Sequence, residues 1–200
     1  MLQSFDVLVI GATRSSQEAG EYTAAYRIAL TAVGMSGLVF AVAFPELVRR
    51  HRDDLPAFSR FLTALIRQST RVGYAMAALV AVAAPQIVSI LYGPAFRRSG
   101  FLLALLFMSV PISYCNSLLG QGLLAAGRER SYLRNIAVTA AVSIVALLAL
   151  VPRSGAAAAV AVVLAGELVT LTLFTLQYAR SLHVVPTREL VVQLPLSAIT

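Results

Sequence analysis

No charged side chain interrupts FLLALLFMSVPISYCNSLLGQGLLAA, residues 101–126 of the chain. A helix needs about 20 mostly apolar residues to cross the hydrocarbon core of a bilayer, so this run is long enough to span it. Comparable apolar stretches lie at 24–44, 72–91, 134–151 and 156–178. The sequence therefore predicts an all-α integral membrane protein, a polytopic helical bundle with five full transmembrane helices.

The composition excludes several other classes of protein. The chain is 58% hydrophobic and only 12% charged, with a mean hydropathy of +0.81, which leaves too few polar side chains for an ordinary soluble surface. All 16 basic residues are arginine, so lysine-dependent phosphate loops and Schiff bases are excluded. The single cysteine, Cys115, lies within an apolar run, so neither a disulfide framework nor a cysteine metal site is available. We expect no cofactor and no metal.

The arginines predict the orientation of the bundle. If the loop after residue 44 is cytoplasmic, the cytoplasmic segments hold 11 arginines: Arg49, Arg50, Arg52, Arg60, Arg67, Arg71, Arg128, Arg130, Arg134, Arg180 and Arg188. The outer segments hold four, namely Arg14, Arg97, Arg98 and Arg153, while Arg27 lies inside a span and is counted on neither side. This bias follows the positive-inside rule. The net charge of +7 therefore reflects membrane topology, and no nucleic-acid partner is expected.

Both ends of the chain carry apolar segments too short to cross a membrane. The sequence predicts partial helices at about 4–14 and 190–200, and a single membrane domain over residues 1–200. We expect this domain to be a piece of a longer, transporter-like chain.

One substantial loop separates the spans at 24–44 and 72–91. Its apolar residues recur at spacings of three and four, which predicts an amphipathic helix over about 54–69. We expect this helix to lie on the cytoplasmic membrane surface, with its arginines near anionic headgroups.

Several polar residues lie inside or beside the apolar spans, where they are costly. A charged side chain at the bilayer centre costs about 2.5–3.5 kcal/mol on insertion scales, so it is expected to face the bundle interior. The two interpretations are a polar cavity between helices and hydrogen bonds that hold helices together. The residues concerned are Asp6, Tyr22, Tyr26, Arg27, Asn116, Gln121, Asn135 and Glu167. Close backbone approach is also expected at four glycines: Gly34, Gly37, Gly120 and Gly122.

Four segments, in order, resemble polysaccharide and lipid-linked oligosaccharide flippases. These are the O-antigen-type members of the multidrug/oligosaccharidyl-lipid/polysaccharide exporter superfamily. The segments are FDVLVIGATRSSQEAGEYTAAYRIAL (Phe5–Leu30), IVSILYGPAF (Ile87–Phe96), LLGQGLLAAGRERSYLRN (Leu118–Asn135) and VPRSGAAAAVAVVLAGELV (Val151–Val169). The resemblance covers nearly the whole chain.

This resemblance implies the second lobe of a two-lobed transporter in the inner (plasma) membrane. Such a protein works by alternating access and moves polyprenyl-diphosphate-linked oligosaccharide across the membrane for surface polysaccharide assembly, without being an enzyme. Its partner would be the first lobe of the same protein, or a second copy of the chain. On this basis we expect two groups of site residues. Those for substrate are Arg27, Tyr22, Tyr26, Asn116 and Gln121, and those for an ion gradient are Asp6 and Glu167.

Three alternatives remain open at this stage. A drug or cation antiporter of the same superfamily would have a cavity rich in acids and aromatic side chains. A membrane enzyme of polysaccharide assembly would have clustered histidines or acids, whereas His51 and His183 are far apart in sequence. An inactive transporter fragment is the third alternative.

Overall fold

The computed structural model describes residues 5–181, and within that range the protein is all-α. The elements are α1 (Phe5–Thr13), α2 (Ser16–Asp53), α3 (Leu55–Tyr92), a 3-10 turn (Pro94–Phe96), α4 (Arg97–Phe107), α5 (Val110–Ala125) and α6 (Glu129–Ser181). The predicted all-α helical bundle is thus confirmed. Three features of the sequence analysis lie outside the described residues: the partial helix at 190–200, His183 and Arg188.

Four helical stretches are long and apolar enough to cross a membrane: α2, α3, the α4–α5 stretch Ser99–Ala125, and α6. The last of these is not one straight rod. Gly155 has φ 65° and ψ −148°, which are not helical angles. Thr139 precedes Gly155 and Thr170 follows it, and yet their hydroxyl oxygens lie only 3.1 Å apart. Helix α6 is therefore an antiparallel hairpin, with a first arm before Gly155 and a second arm after it.

The turn of this hairpin is attached to the start of α2. Glu18 Oε1 accepts a hydrogen bond of 2.7 Å from the backbone N–H of Ala156, the first residue of the second arm. A carboxylate at this position satisfies an N–H group that has no partner within the helix. Glycine is needed at residue 155, because a Cβ atom there would meet the Glu18 carboxylate and because φ is positive.

The segment at 54–69 differs from the prediction. It is the first part of α3, which continues without interruption to Tyr92. Its apolar residues Phe58, Leu62 and Ile66 are buried in one cluster with side chains of α5 and of the second arm of α6. This part of α3 therefore packs against protein through its apolar face, and it is not a separate helix. Its position at the cytoplasmic membrane surface stays a prediction.

The helices divide the arginines between two ends of the bundle. The α2–α3 turn at Asp54, the α5–α6 turn and the end of α6 lie at one end. The arginines assigned to cytoplasmic segments, apart from Arg188, lie in the half of the bundle nearest that end. Arg14 and Arg153 lie at the other end, beside the hairpin turn.

Two buried clusters hold the bundle together, one toward each end. Tyr114 and Tyr178 each join two helices by donating to a backbone oxygen, at 2.7 Å to Ala32 and 2.9 Å to Leu119. Buried hydroxyls of this kind satisfy backbone carbonyls where helices lie side by side.

Helix α3 approaches the backbone of the α4–α5 stretch closely at two glycine–proline contacts. An ideal Cβ on Gly73 would lie 2.7 Å from Pro111 Cα, and one on Gly100 would lie 2.9 Å from Pro85 Cα. Backbone atoms stand at both contacts, so no side chain can move aside. The glycines therefore set the distance between the two helical stretches.

The expected close approaches at Gly34 and Gly37 are wrong, because nothing lies within 4 Å of a Cβ on either residue. At Gly120 and Gly122 the approach is close, since an added Cβ would meet Tyr132 and Tyr178.

We predict that Gly73→Ala destabilises the bundle while Gly37→Ala does not. The first substitution forces α3 away from Pro111, and overpacking of this kind costs about 1–3 kcal/mol. The second adds a methyl group in open space and favours the helix by up to about 1 kcal/mol. The midpoints of thermal unfolding of the two variants, measured in the same detergent, test both effects. Equal midpoints for the two variants would mean that the Gly73–Pro111 contact does not set the helix spacing.

Candidate functional site

Asp6 is held by side chains and backbone of α1 and α2. It is only 4% exposed. Its Oδ1 accepts from the backbone N–H of Val7 at 2.9 Å, and its Oδ2 accepts from the hydroxyl of Tyr22. Tyr22 has no exposed surface, and Tyr26 stacks on it with ring centroids 5.7 Å apart. The tyrosines at 22 and 26 share one face of α2 because residues four apart on a helix are neighbours.

Glu167 lies on the second arm of α6 and is held by α5. Ser113 Oγ donates to its Oε1 at 2.5 Å, and Asn116 Nδ2 donates to its Oε2 at 2.7 Å. The same Asn116 nitrogen donates to the backbone oxygen of Glu167 at 2.9 Å. Because both acceptors of the Asn116 nitrogen are oxygens, they fix the orientation of the amide.

A cavity of about 270 Å³ brings the two carboxylates into one space. Asp6, Tyr26 and Glu167 line it together. Its remaining wall is largely apolar, with five hydroxyl groups from the α4–α5 stretch and α6, namely Ser109, Ser113, Thr139, Ser143 and Thr170. The two acids come from helices at opposite ends of the described chain, so only the fold brings them together.

A second cavity, of about 300 Å³, adjoins the first and shares Ser113 and Glu167 with it. Asn116 and Gln121 line this second space. The Oδ1 atom of Asn116 is buried and has no hydrogen-bond partner among the residues that the structure describes. Glu167 thus lines both cavities, and the Oδ1 atom of the neighbouring Asn116 can accept a further hydrogen bond.

Arg27 lies apart from both cavities. Its side chain is on the exposed face of α2, and within residues 5–181 its guanidinium makes no hydrogen bond or ion pair. Eleven residues separate it from Ser16, about 16 Å along the helix axis. An arginine at such depth is costly against lipid, so this face of α2 fits a water-filled space or a protein surface.

Residues 1–99 match the model of a family described as "Polysaccharide biosynthesis protein". The matched region contains α1, α2 and α3, and with them Asp6, Tyr22, Tyr26 and Arg27. The match supports the polysaccharide biosynthesis family and a role in polysaccharide biosynthesis. Together with the four long apolar helices, it indicates a membrane protein. Neither a curated protein nor a solved structure matches the chain.

Two residues that are expected to touch substrate make hydrogen bonds to the buried carboxylates. Tyr22 is fully buried and its hydroxyl is taken by Asp6, so it positions a carboxylate. Asn116 likewise holds Glu167 through its amide nitrogen. Tyr26 and Gln121 each line a cavity, and Arg27 alone faces outward.

The sequence analysis missed the hydroxyl side chains of the first cavity. A signal was present, because Ser109 and Ser113 are four residues apart, as are Thr139 and Ser143. Each pair therefore shares one helix face. Ser113 is the most important omission, since it donates directly to Glu167.

We predict that Tyr22→Phe destabilises the protein more than Tyr26→Phe. The first substitution leaves a buried oxygen of Asp6 without its donor, which costs about 1–3 kcal/mol. The hydroxyl of Tyr26 makes no hydrogen bond to any residue that the structure describes, so its loss removes less. Thermal unfolding of both variants, and of each combined with Asp6→Ala, measures the coupling. If Tyr22→Phe costs as much with Ala at residue 6 as with Asp, the bond does not stabilise the fold.

Proposed function

We propose that this protein is a flippase that moves polyprenyl-diphosphate-linked oligosaccharide across the cytoplasmic (inner) membrane by alternating access, and that it is not an enzyme. The observation that carries the proposal is the exposed guanidinium of Arg27 in an apolar helix, on the same helix as the cavity residue Tyr26. The match of residues 1–99 to the polysaccharide biosynthesis family supports it.

Arg27 suits a diphosphate because of its geometry as well as its charge. A guanidinium presents parallel N–H donors that bind two phosphate oxygens at once. In a space partly shielded from bulk water, this attraction is stronger than at an open surface. The oligosaccharide would remain in the aqueous part of the space, while the polyprenyl chain stays in the bilayer.

This bundle would form one wall of the transport cavity. The face of α2 with Arg27 needs a polar surface opposite it, which a second helical bundle would supply. That bundle would be another lobe of the same protein or a second copy of this chain. On this view the protein crosses the membrane five times over the described range, since the two arms of α6 form separate crossings.

An ion gradient would drive the cycle through the two carboxylates of the first cavity. Asp6 and Glu167 lie on different helices, and each is held by donors that an ionised carboxylate prefers. Proton or sodium binding at Glu167 would weaken its bonds to Ser113 and Asn116. The link between α5 and the second arm of α6 would then change with the state of the ion.

We predict that Arg27→Ala, introduced into the chromosomal gene, lowers surface polysaccharide at least tenfold, the loss expected from about 1.4 kcal/mol of phosphate binding. Arg27→Lys keeps the charge but not the paired donors, so it should have an intermediate effect. Arg52→Ala is the matched control, because Arg52 is also exposed and lies near the end of the same helix.

The amount of lipid-linked oligosaccharide in the cytoplasmic leaflet distinguishes transport from synthesis. Loss of a flippase leaves complete lipid-linked oligosaccharide in the cytoplasmic leaflet, whereas loss of a synthetic enzyme prevents its formation. If Arg27→Ala has normal surface polysaccharide, Arg27 is not the diphosphate contact. If the lipid-linked intermediate is absent, the protein is not a flippase.

We predict that Glu167→Gln removes the dependence of transport on an ion gradient. Gln keeps the size of the side chain and can still accept from Asn116, but it cannot ionise. Glu129→Gln is the control, because Glu129 lies exposed in the first turn of the same helix. Polysaccharide export is measured with and without an ionophore. Export by Glu167→Gln that remains as sensitive to the ionophore as the wild type would exclude this role.

A second candidate is the extrusion of lipophilic cations. The first cavity favours it, because its two carboxylates, its tyrosine and its apolar walls suit a bulky apolar cation. Accumulation of tetraphenylphosphonium in the Glu167→Gln strain separates the two functions. It rises if the protein is a cation antiporter and is unchanged if the substrate is a lipid-linked oligosaccharide.

A further inference from the structure

Three arginines of α3 form a stripe that none of the contacts described above uses. Arg60, Arg67 and Arg71 are seven and four residues apart, so at about 100° per residue they fall on one side of the helix. All three are exposed, and no hydrogen bond or ion pair joins them to any described residue. Leu55–Tyr92 contains no acidic residue, so the charge of the stripe is not neutralised on its own helix.

The stripe lies opposite the packed side of α3. Phe58, Leu62 and Ile66 are buried against α5 and α6, roughly half a turn of the helix away from the arginines. The three arginines therefore lie on the outer surface of the bundle, and none of them lines either cavity.

The same outward side of α3 becomes apolar immediately after Arg71. Ala75 and Ala78 continue the line of the stripe and are exposed, and Leu79 and Val82 are 70% and 80% exposed. Residues 72–92 contain no charge, and their length along the axis is about 31 Å, which matches a hydrocarbon core of about 30 Å. Lipid chains are thus the partner that this part of the helix fits.

We infer that the arginine stripe (Arg60, Arg67 and Arg71) binds the phosphates of anionic phospholipids in the leaflet predicted to be cytoplasmic. A lipid whose chains cover Ala78 and Val82 has its headgroup at the level of Arg71. Arg67 lies about 6 Å further along the axis, within headgroup depth, and Arg60 lies about 16 Å from Arg71. Arg71 and Arg67 make the direct contacts, and Arg60 adds long-range attraction that salt screens.

The absence of tryptophan from the chain allows a direct test. Ala78→Trp places one fluorescent reporter on the lipid-covered line below the stripe. The full chain is reconstituted in vesicles of phosphatidylcholine and phosphatidylglycerol, with bromine on the acyl chains of one lipid at a time. The ratio of quenching by the two lipids reports which one occupies this surface.

We expect the reporter protein to prefer phosphatidylglycerol, and Arg71→Gln to lower that preference by about fivefold, the effect of one arginine near a charged membrane surface. Arg67→Gln should lower the preference for phosphatidylglycerol almost as much, and Arg60→Gln should lower it least. Arg49→Gln is the matched control, because Arg49 is exposed but paired with Glu46 at 2.7 Å. Higher ionic strength should weaken the preference in the unsubstituted reporter protein.

A variant with all three arginines changed to lysine is the control for misfolding, because it keeps the positive charge. It should also keep most of the preference for the anionic lipid. Three results would overturn the inference. The reporter protein could show no preference for the anionic lipid, or Arg71→Gln could leave the preference intact. Inorganic pyrophosphate could also abolish it where sulfate of equal ionic strength does not, which would assign the stripe to a diphosphate ligand instead.

Discussion

Two acidic side chains inside an apolar bundle set the main constraint on this structure. Each must be surrounded by donors, because an uncompensated carboxylate in a low-dielectric interior is strongly unfavourable. Asp6 meets this requirement through Tyr22, and Glu167 meets it through Ser113 and Asn116. The helices that supply these donors are thereby fixed relative to the helices that carry the acids. The same contacts that hold the bundle together are the ones that a change of protonation or bound cation would alter.

Close helix packing supplies the rigid part of the molecule. Gly73 of α3 meets Pro111 of α5, and Gly100 of α4 meets Pro85 of α3, so each of the two stretches offers one glycine and one proline. Proline inside a membrane helix frees a backbone carbonyl that neighbouring groups must satisfy, and close packing brings those groups near. Helices α3, α4 and α5 therefore pack as one block. The two cavities described above are lined by α4 and α5 of this block together with α1, α2 and α6.

The sequence predicts the helical class and the positions of the apolar segments well, because the apolar runs are long and the arginines lie between them. It does not predict that residues 54–69 continue into the next helix, since periodicity identifies an apolar face but not the surface that the face contacts. Asp6 and Glu167 could be selected as unusual, yet their shared cavity depends on a long-range arrangement. The hydrogen bonds that Tyr22 and Asn116 make to these acids are not predictable for the same reason, because a hydrogen-bond partner 16 or 51 residues away has no local signature.

The bond between Glu18 and the N–H of Ala156 has a consequence for biogenesis. The donor and the acceptor are 138 residues apart, and the acceptor enters the membrane first. The second arm of α6 obtains its N-terminal cap only after nearly all of the described chain has been synthesised and inserted. Until that moment the α1–α2 turn lacks its bond to the turn of α6. Completion of the bundle that residues 5–181 form is thus coupled to the arrival of the second arm of α6, and a chain that stops before residue 156 would leave Glu18 without this partner.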